Sequence, residues 1–150
     1  MKFPEKIPIE RIEDYHTHYL GKTSDGFQFW GYTTFVWTVL PKDIKGDWQD
    51  YRNEYVLLHL FDKEGNYIET KHWLGGSANQ VNDMTLYSKL DTMVEELGEI
   101  EFSDIEIKMF QTTIDGERFG LIPHEESGFI ELQPNSTIAF SEPWDGSYDT

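Results

Sequence analysis

The sequence predicts one α+β domain: a largely antiparallel, twisted β-sheet built of hairpins, with one amphipathic helix packed on it. Three observations carry that expectation. Short runs rich in β-branched and aromatic residues are separated by tight-turn dipeptides such as Asp25-Gly26 and Asp115-Gly116. Only the segment after Asp83 repeats apolar residues at helical spacing. The 150 residues include 10 Phe, 8 Tyr and 5 Trp, enough large side chains to build a single core without staples.

The elements follow in chain order. Residues 1–12, with Pro4 and Pro8, read as an extended arm joining the body. Tyr15–Leu20 reads as a first strand, paired through Asp25-Gly26 with Phe27–Thr38. Phe27, Phe29, Thr33, Phe35 and Trp37 fall on one face of that second strand, and Trp30, Tyr32 and Val36 on the other. Apolar residues on both faces place it at a sheet centre or a packed interface, and Gly31 is expected to mark a bulge. Pro41–Tyr55 reads as a polar loop with one helical turn after Asp47. Val56–Asp62 is a buried strand, and Lys63–Asn66 turns it into Tyr67–Leu74.

Gly75-Gly76 then connects to the helix, with Asp83 as N-cap, Leu86, Leu90, Met93, Val94 and Leu97 as its apolar stripe, and Gly98 as its stop. Ser103–Thr113 alternates as a strand, and Asp115-Gly116 turns it into Arg118–Ile122. Phe129–Gln133 and Thr137–Phe140 are short strands, and residues 141–150 form an aromatic and acidic tail. The echo T-x-D-G-x-x-F at Thr23–Phe29 and Thr113–Phe119 reads as two turns of like chemistry rather than a repeat.

Charge narrows the partners. Twelve basic residues against 28 acidic ones give −16. The imbalance is concentrated late: residues 89–150 hold 3 basic and 15 acidic residues, for a net charge of −12. Such a field repels nucleic acid and anionic membrane surfaces and attracts a basic protein. The absence of cysteine excludes disulfides, thiolate metal sites and a cysteine nucleophile. No apolar run long enough for a signal peptide or membrane span is visible, so a cytoplasmic protein is expected.

The histidine and carboxylate motifs are the candidates for chemistry. His16 and His18, in Asp14-Tyr15-His16-Thr17-His18, would face the same way on a strand and are candidate metal ligands. Two ligands fall short of a site, and the chain is too short for the barrel hydrolases that open with H-x-H. His59 reads as a hydrogen-bonded core histidine, with His72 as a candidate neighbour. Gly75-Gly76-Ser77 matches no phosphate-loop pattern. Glu95, Glu96, Glu99, Glu101, Asp104 and Glu106 form an acidic block, read as a solvated face or a docking patch. No catalytic residue and no cofactor is expected. Aromatic–acidic segments instead supply partner-binding candidates: Trp48, Asp50 and Tyr51 in the loop, and Trp144, Asp145, Tyr148 and Asp149 in the tail. The tail is expected to dock on the body, beside Trp48–Tyr51.

The N-terminal K-I-P-I segment, Asp47-Trp48-x-Asp50-Tyr51, the L-H-x-F-D strand at Leu58–Asp62, Thr113–Leu121 and the ending Pro143–Thr150 together resemble a family of small acidic bacterial proteins labelled formate hydrogenlyase regulatory protein-like. The resemblance spans nearly the whole chain. It implies a cytoplasmic regulator of hydrogenlyase expression without enzymatic activity, and it brings no catalytic residues. Composition and motifs lead to the same expectation: a non-catalytic regulatory or inhibitory protein, of which a toxin-immunity protein is one version. The alternative is a small metal-dependent or ligand-binding enzyme using His16 and His18.

Overall fold

The computed structural model describes residues 3–12, 14 and 16–150. Its strands are β1 (Lys6–Ile9), β2 (Tyr19–Thr23), β3 (Gln28–Trp37), β4 (Arg52–Phe61), β5 (Tyr67–Ser77), β6 (Ile100–Phe102), β7 (Ile105–Lys108), β8 (Phe110–Ile114), β9 (Glu117–His124), β10 (Phe129–Gln133) and β11 (Ala139–Phe140), with helix α1 at Asp83–Glu95. All pairings are antiparallel, so the fold is α+β as expected. The strands divide into a five-stranded sheet in the order β5-β4-β3-β2-β6, a four-stranded meander β11-β10-β9-β8, and the ribbon β1-β7.

The layering follows from β3, which is the middle strand and is apolar on both sides. Phe29 packs with Val56, Leu58, Leu86, Leu90, Met93 and Val94, which seats the helical stripe on one face of the large sheet. Trp30, Tyr32 and Val36 point the other way, into a second cluster with Ile7, Ile107, Phe119 and Phe140 from the ribbon and the meander. Gly31 is no bulge, since the β3–β4 register runs unbroken from Gln28↔Phe61 to Trp37↔Arg52. A Cβ on Gly31 would come within 2.9 Å of Leu90 Cδ1, so the glycine lets the helix sit close to the sheet.

Several boundaries differ from the sequence expectation, each for a local reason. Tyr15 lies outside the described residues, and the first strand is β2, beginning at Tyr19. Residues 16–18 turn instead, because the Asp14 carboxylate accepts the N–H groups of His16 and Thr17, and His18 N–H bonds the Asp14 carbonyl. The arm is partly a strand: β1 pairs with β7 and buries Ile7 and Ile9 completely. Asn82, not Asp83, caps the helix, accepting from Thr85 N–H at 2.8 Å. Gly75 and Gly76 belong to β5 rather than to a connection, and the register of β5 shifts there against β4.

Ser103–Thr113 splits into β7 and β8, which pair with different strands in different sheets. The two D-G turns also differ. Gly26 alone has positive φ in the first, whereas Asp115 (φ 53°) and Gly116 (φ 81°) form a two-residue turn in the second. The helical turn after Asp47 is present as a 3₁₀ turn over Trp48–Tyr51, with Asp47 accepting from Gln49 N–H.

The helix–sheet contact yields a coupled prediction. Leu90→Ala, at a fully buried site, is expected to destabilise by about 2–5 kcal/mol. Gly31→Ala is expected to destabilise by about 1–3 kcal/mol through overpacking. Urea titration of the double mutant should show less than the sum, because the truncated Leu90 vacates the space the new methyl needs.

Candidate functional site

Two of the regions singled out from sequence carry the aromatic and acidic candidates, and the structure uses them differently. The loop Pro41–Tyr51 builds an exposed platform. Tyr51 carbonyl accepts Thr38 N–H at 2.8 Å, Tyr51 O–H donates to the Lys45 carbonyl, and Asn79 donates to Asp50, so the turn is tied at both ends. Trp48 is held at the top of this turn, 45% exposed, with its ring 6.0 Å from that of Trp37. The Arg52 guanidinium lies 3.9 Å above the Phe35 ring and 5.4 Å from that of Trp48, and it pairs with Glu54 at 2.9 Å. Stacking on aromatics fixes the guanidinium plane and leaves its donors for the carboxylate. Leu40, 61% exposed, extends the apolar patch. Sequence reasoning missed Phe35, Trp37, Leu40 and Arg52; the odd-numbered aromatics on the helix-side face of β3 were the available signal.

The tail docks on the body, as expected, but against a different neighbour. Asp149 pairs with Ala139, and Gly146 carbonyl accepts Glu10 N–H at 2.9 Å. Gly146 has φ +97°, and a Cβ there would lie 3.1 Å from Glu10 N, so the close approach requires glycine. Tyr148 O–H contacts Thr17 Oγ1 at 2.7 Å and both Asp14 carboxylate oxygens at 3.1 Å. Burial and the Asp14 carboxylate push this phenol up to about 12, against the opposing Thr17 bond. The Trp144 ring meets Phe3 edge-on at 6.3 Å. The tail's partners are therefore Phe3, Glu10, Asp14, Thr17 and Ala139, not the Trp48 turn. Its two aromatics are half-buried in docking, while Asp145 and Asp149 remain exposed. Asp145 accepts from Ser147 N–H and Oγ, which holds its carboxyl below the usual range.

The histidines separate. His16 is buried, with its ring 6.2 Å from Tyr148 and its carbonyl accepting the Trp30 indole N–H at 2.7 Å. Burial lowers its pKa, partly opposed by Asp14. His18 lies against Tyr19 and Phe102 instead. The strand geometry that would align the two imidazoles is replaced by the Asp14 turn. Among the described residues no group of three or more His, Asp and Glu converges as metal ligands would.

His59 is fully buried in a hydrogen-bonded chain: Tyr67 O–H to Thr70 Oγ1 at 2.8 Å, Thr70 to His59 Nδ1 at 2.7 Å, and His59 Nε2 to Tyr32 O–H at 2.8 Å. It is a core histidine; its cross-strand partner is Thr70, whereas His72 sits opposite Leu57 and is exposed. The acidic block is solvent-facing throughout, with Glu95, Glu96, Glu99, Glu101, Asp104 and Glu106 all exposed, as either a solvated face or a docking patch requires.

A cavity of about 320 Å³ opens beside the platform. Glu54, Asp83 and Tyr87 line its helix side, and His16, Thr34 and Thr137 line the opposite side. Burial holds Glu54 above the usual carboxylate range, opposed by the Arg52 guanidinium and reinforced by Asp83. Among the described residues, no helix is long and apolar enough to cross a membrane. No family model, curated protein or solved structure matches this chain.

His59 gives a pH prediction. Burial lowers its pKa from 6.5 to about 3, so between these values the unfolded chain takes up a proton that the native state refuses. The stabilisation from keeping it neutral is complete above pH 6.5 and is lost as pH falls, at up to about 1.4 kcal/mol per unit. In urea titrations from pH 7 to 5, His59→Gln should flatten the pH dependence of stability relative to the parent, and an unchanged slope would contradict this assignment.

Proposed function

We propose that this chain is a non-catalytic regulatory or inhibitory protein of the cytoplasm that acts by binding another protein, and that the partner is basic. The observation that carries this reading is the platform at Trp48: an exposed indole, braced by Trp37 and Arg52 on a turn tied at both ends. Tryptophan and arginine held rigid at a surface are the residue types that dominate binding energy at protein interfaces. They lose little conformational freedom on binding, because the fold has already fixed them.

The charge supports the choice of partner. A net −16 with six exposed carboxylates between Glu95 and Glu106 accelerates encounter with a positive surface and disfavours phosphate backbones. The tail aromatics Trp144 and Tyr148 contribute by holding the N-terminal arm and the Asp14 turn in place, so Asp145 and Asp149 add charge rather than anchors. A regulator of hydrogenlyase expression and an immunity protein covering the basic active site of a toxin are two concrete forms of this role.

Partner capture from a lysate of the native host, at low and moderate salt, followed by calorimetry on the purified pair, tests the reading. Trp48→Ala is expected to weaken binding roughly tenfold to thirtyfold, the loss typical of an interface anchor of about 1.4–2 kcal/mol. Its melting temperature should fall by only a few degrees, because the indole is half-exposed and lies outside both core clusters. Raising salt should slow association more than it speeds dissociation. A partner bound equally by the variant, or no specific protein at either salt concentration, would defeat the proposal.

A further inference from the structure

The cavity beside the platform follows an interruption in the large sheet. Strand β2 pairs with β3 only from Lys22↔Gln28 to Tyr19↔Gly31, while β4 pairs with β3 as far as Trp37↔Arg52. Upstream of Tyr19 the chain leaves the line of β2 through the Asp14 turn, and Trp30 pins that turn by donating to the His16 carbonyl. Among the described residues, Tyr32–Trp37 therefore has no strand on its β2 side.

The direction of the main chain there can be read from one contact. Asn135 Nδ2 donates to the Phe35 carbonyl at 2.7 Å, so that carbonyl points away from β4. Alternate residues of an antiparallel strand present N–H and C=O to the same side. Thr33 consequently presents both groups to the cavity. Between the end of β2 at Gly31 and the Asn135 contact at Phe35, the open edge measures roughly 13 Å, room for about four extended residues at ~3.3 Å each.

We infer that this open edge of β3 is a strand-addition site for an extended segment of the partner protein, with a lysine or arginine directed toward Glu54 and Asp83. The inference deepens the protein-binding reading and rests on it. Successive side chains of an added strand point to opposite faces. One position faces Glu54, Asp83 and Tyr87. Among the described residues Arg52 pairs with Glu54 and no ion pair engages Asp83, so this half offers two carboxylates against one guanidinium to an incoming cation. The positions on either side face His16, Thr34 and Thr137, where small or hydroxylated side chains fit. The motif selected is a basic residue flanked by small polar ones, next to an interface anchored at Trp48.

The test titrates isotope-labelled full-length protein with a blocked hexapeptide of alternating threonine and arginine. Two control peptides carry glutamate for arginine, or methyl groups on the backbone nitrogens. The arginine peptide should move the amide signals of Thr33 and Phe35, and both controls should bind at least tenfold more weakly. Asp83→Asn, at an exposed position, should weaken binding about fivefold without altering the fold. Thr33→Pro, which removes the edge donor, should abolish binding, with circular dichroism confirming an intact sheet.

Unmoved Thr33 and Phe35 amides, or equal binding of the methylated peptide, would overturn the site. If a natural partner is captured through Trp48 while those amides stay unmoved, strand addition falls and the binding role stands. If the peptide pairs here while no protein is captured at either salt concentration, the role falls and the site stands.

Discussion

Strand β3 has to bury large side chains on both faces at once, and the remaining layers answer that demand. Phe29, Trp30 and Tyr32 are each at most 3% exposed, with Phe29 on one face and Trp30 and Tyr32 on the other. A sheet with one solvated face would leave one side of this set in water, at about 25 cal/mol for each Å² of apolar surface left uncovered. Helix α1 covers one side through Leu86, Leu90, Met93 and Val94. The meander and the β1–β7 ribbon cover the other through Ile7, Ile107, Phe119 and Phe140. Gly31 and Gly65 let these layers approach: Gly31 makes room for Leu90, and a Cβ on Gly65 would lie 2.9 Å from the backbone of β7.

The polar groups admitted to this interior are all accounted for. Every buried side-chain nitrogen and oxygen among the described residues has a partner. The chain Tyr67–Thr70–His59–Tyr32 crosses from strand β5 through β4 to β3, so it ties the register of three strands with side-chain bonds as well as with the ladder. Burial keeps the His59 imidazole neutral, and a ring nitrogen left without a partner in that interior is costly, which makes the network sensitive to slippage of any one strand. The tail works similarly at the other end: Tyr148 closes a contact with Asp14 across 134 residues of chain.

What was legible in the sequence was local. Asp25-Gly26, Lys63–Asn66 and Asp115-Gly116 announce their hairpins because the turn chemistry is contained in the turn itself. The stripe from Leu86 to Leu97 announces its helix because the period is contained in one segment. The two faces of β3 were readable from alternation alone. What escaped was set by distant partners. Nothing near Lys6 says that β1 will pair with β7, and Ser103–Thr113 alternates as one strand although its halves join different sheets. His16 and His18 show strand-like spacing, yet the Asp14 side chain bonds the following N–H groups and turns the chain. The Trp48 turn was legible through its Asp47 cap; the bracing by Trp37 and Arg52 required the β3–β4 register.

The way the sheet treats its edges bears on where another chain can join. Strand β5 is an outer strand of 11 residues, long enough to recruit a stray strand. It is interrupted by register shifts near both ends and carries exposed Lys71 and His72 along its middle, features that discourage pairing. The opposite edge ends in β6, which is only three residues long. The gap along Tyr32–Trp37 is different in kind. It lies inside the sheet order, in line with β2, bordered by the helix N-terminus on one face and by the His16 turn on the other. A chain entering there would meet side chains on both faces and main-chain groups at the edge, so its sequence and its direction would both be read. In the five-stranded sheet, outer edges blunted against indiscriminate pairing and a short open edge within the sheet order are what a protein needs if it is to join one partner and not itself.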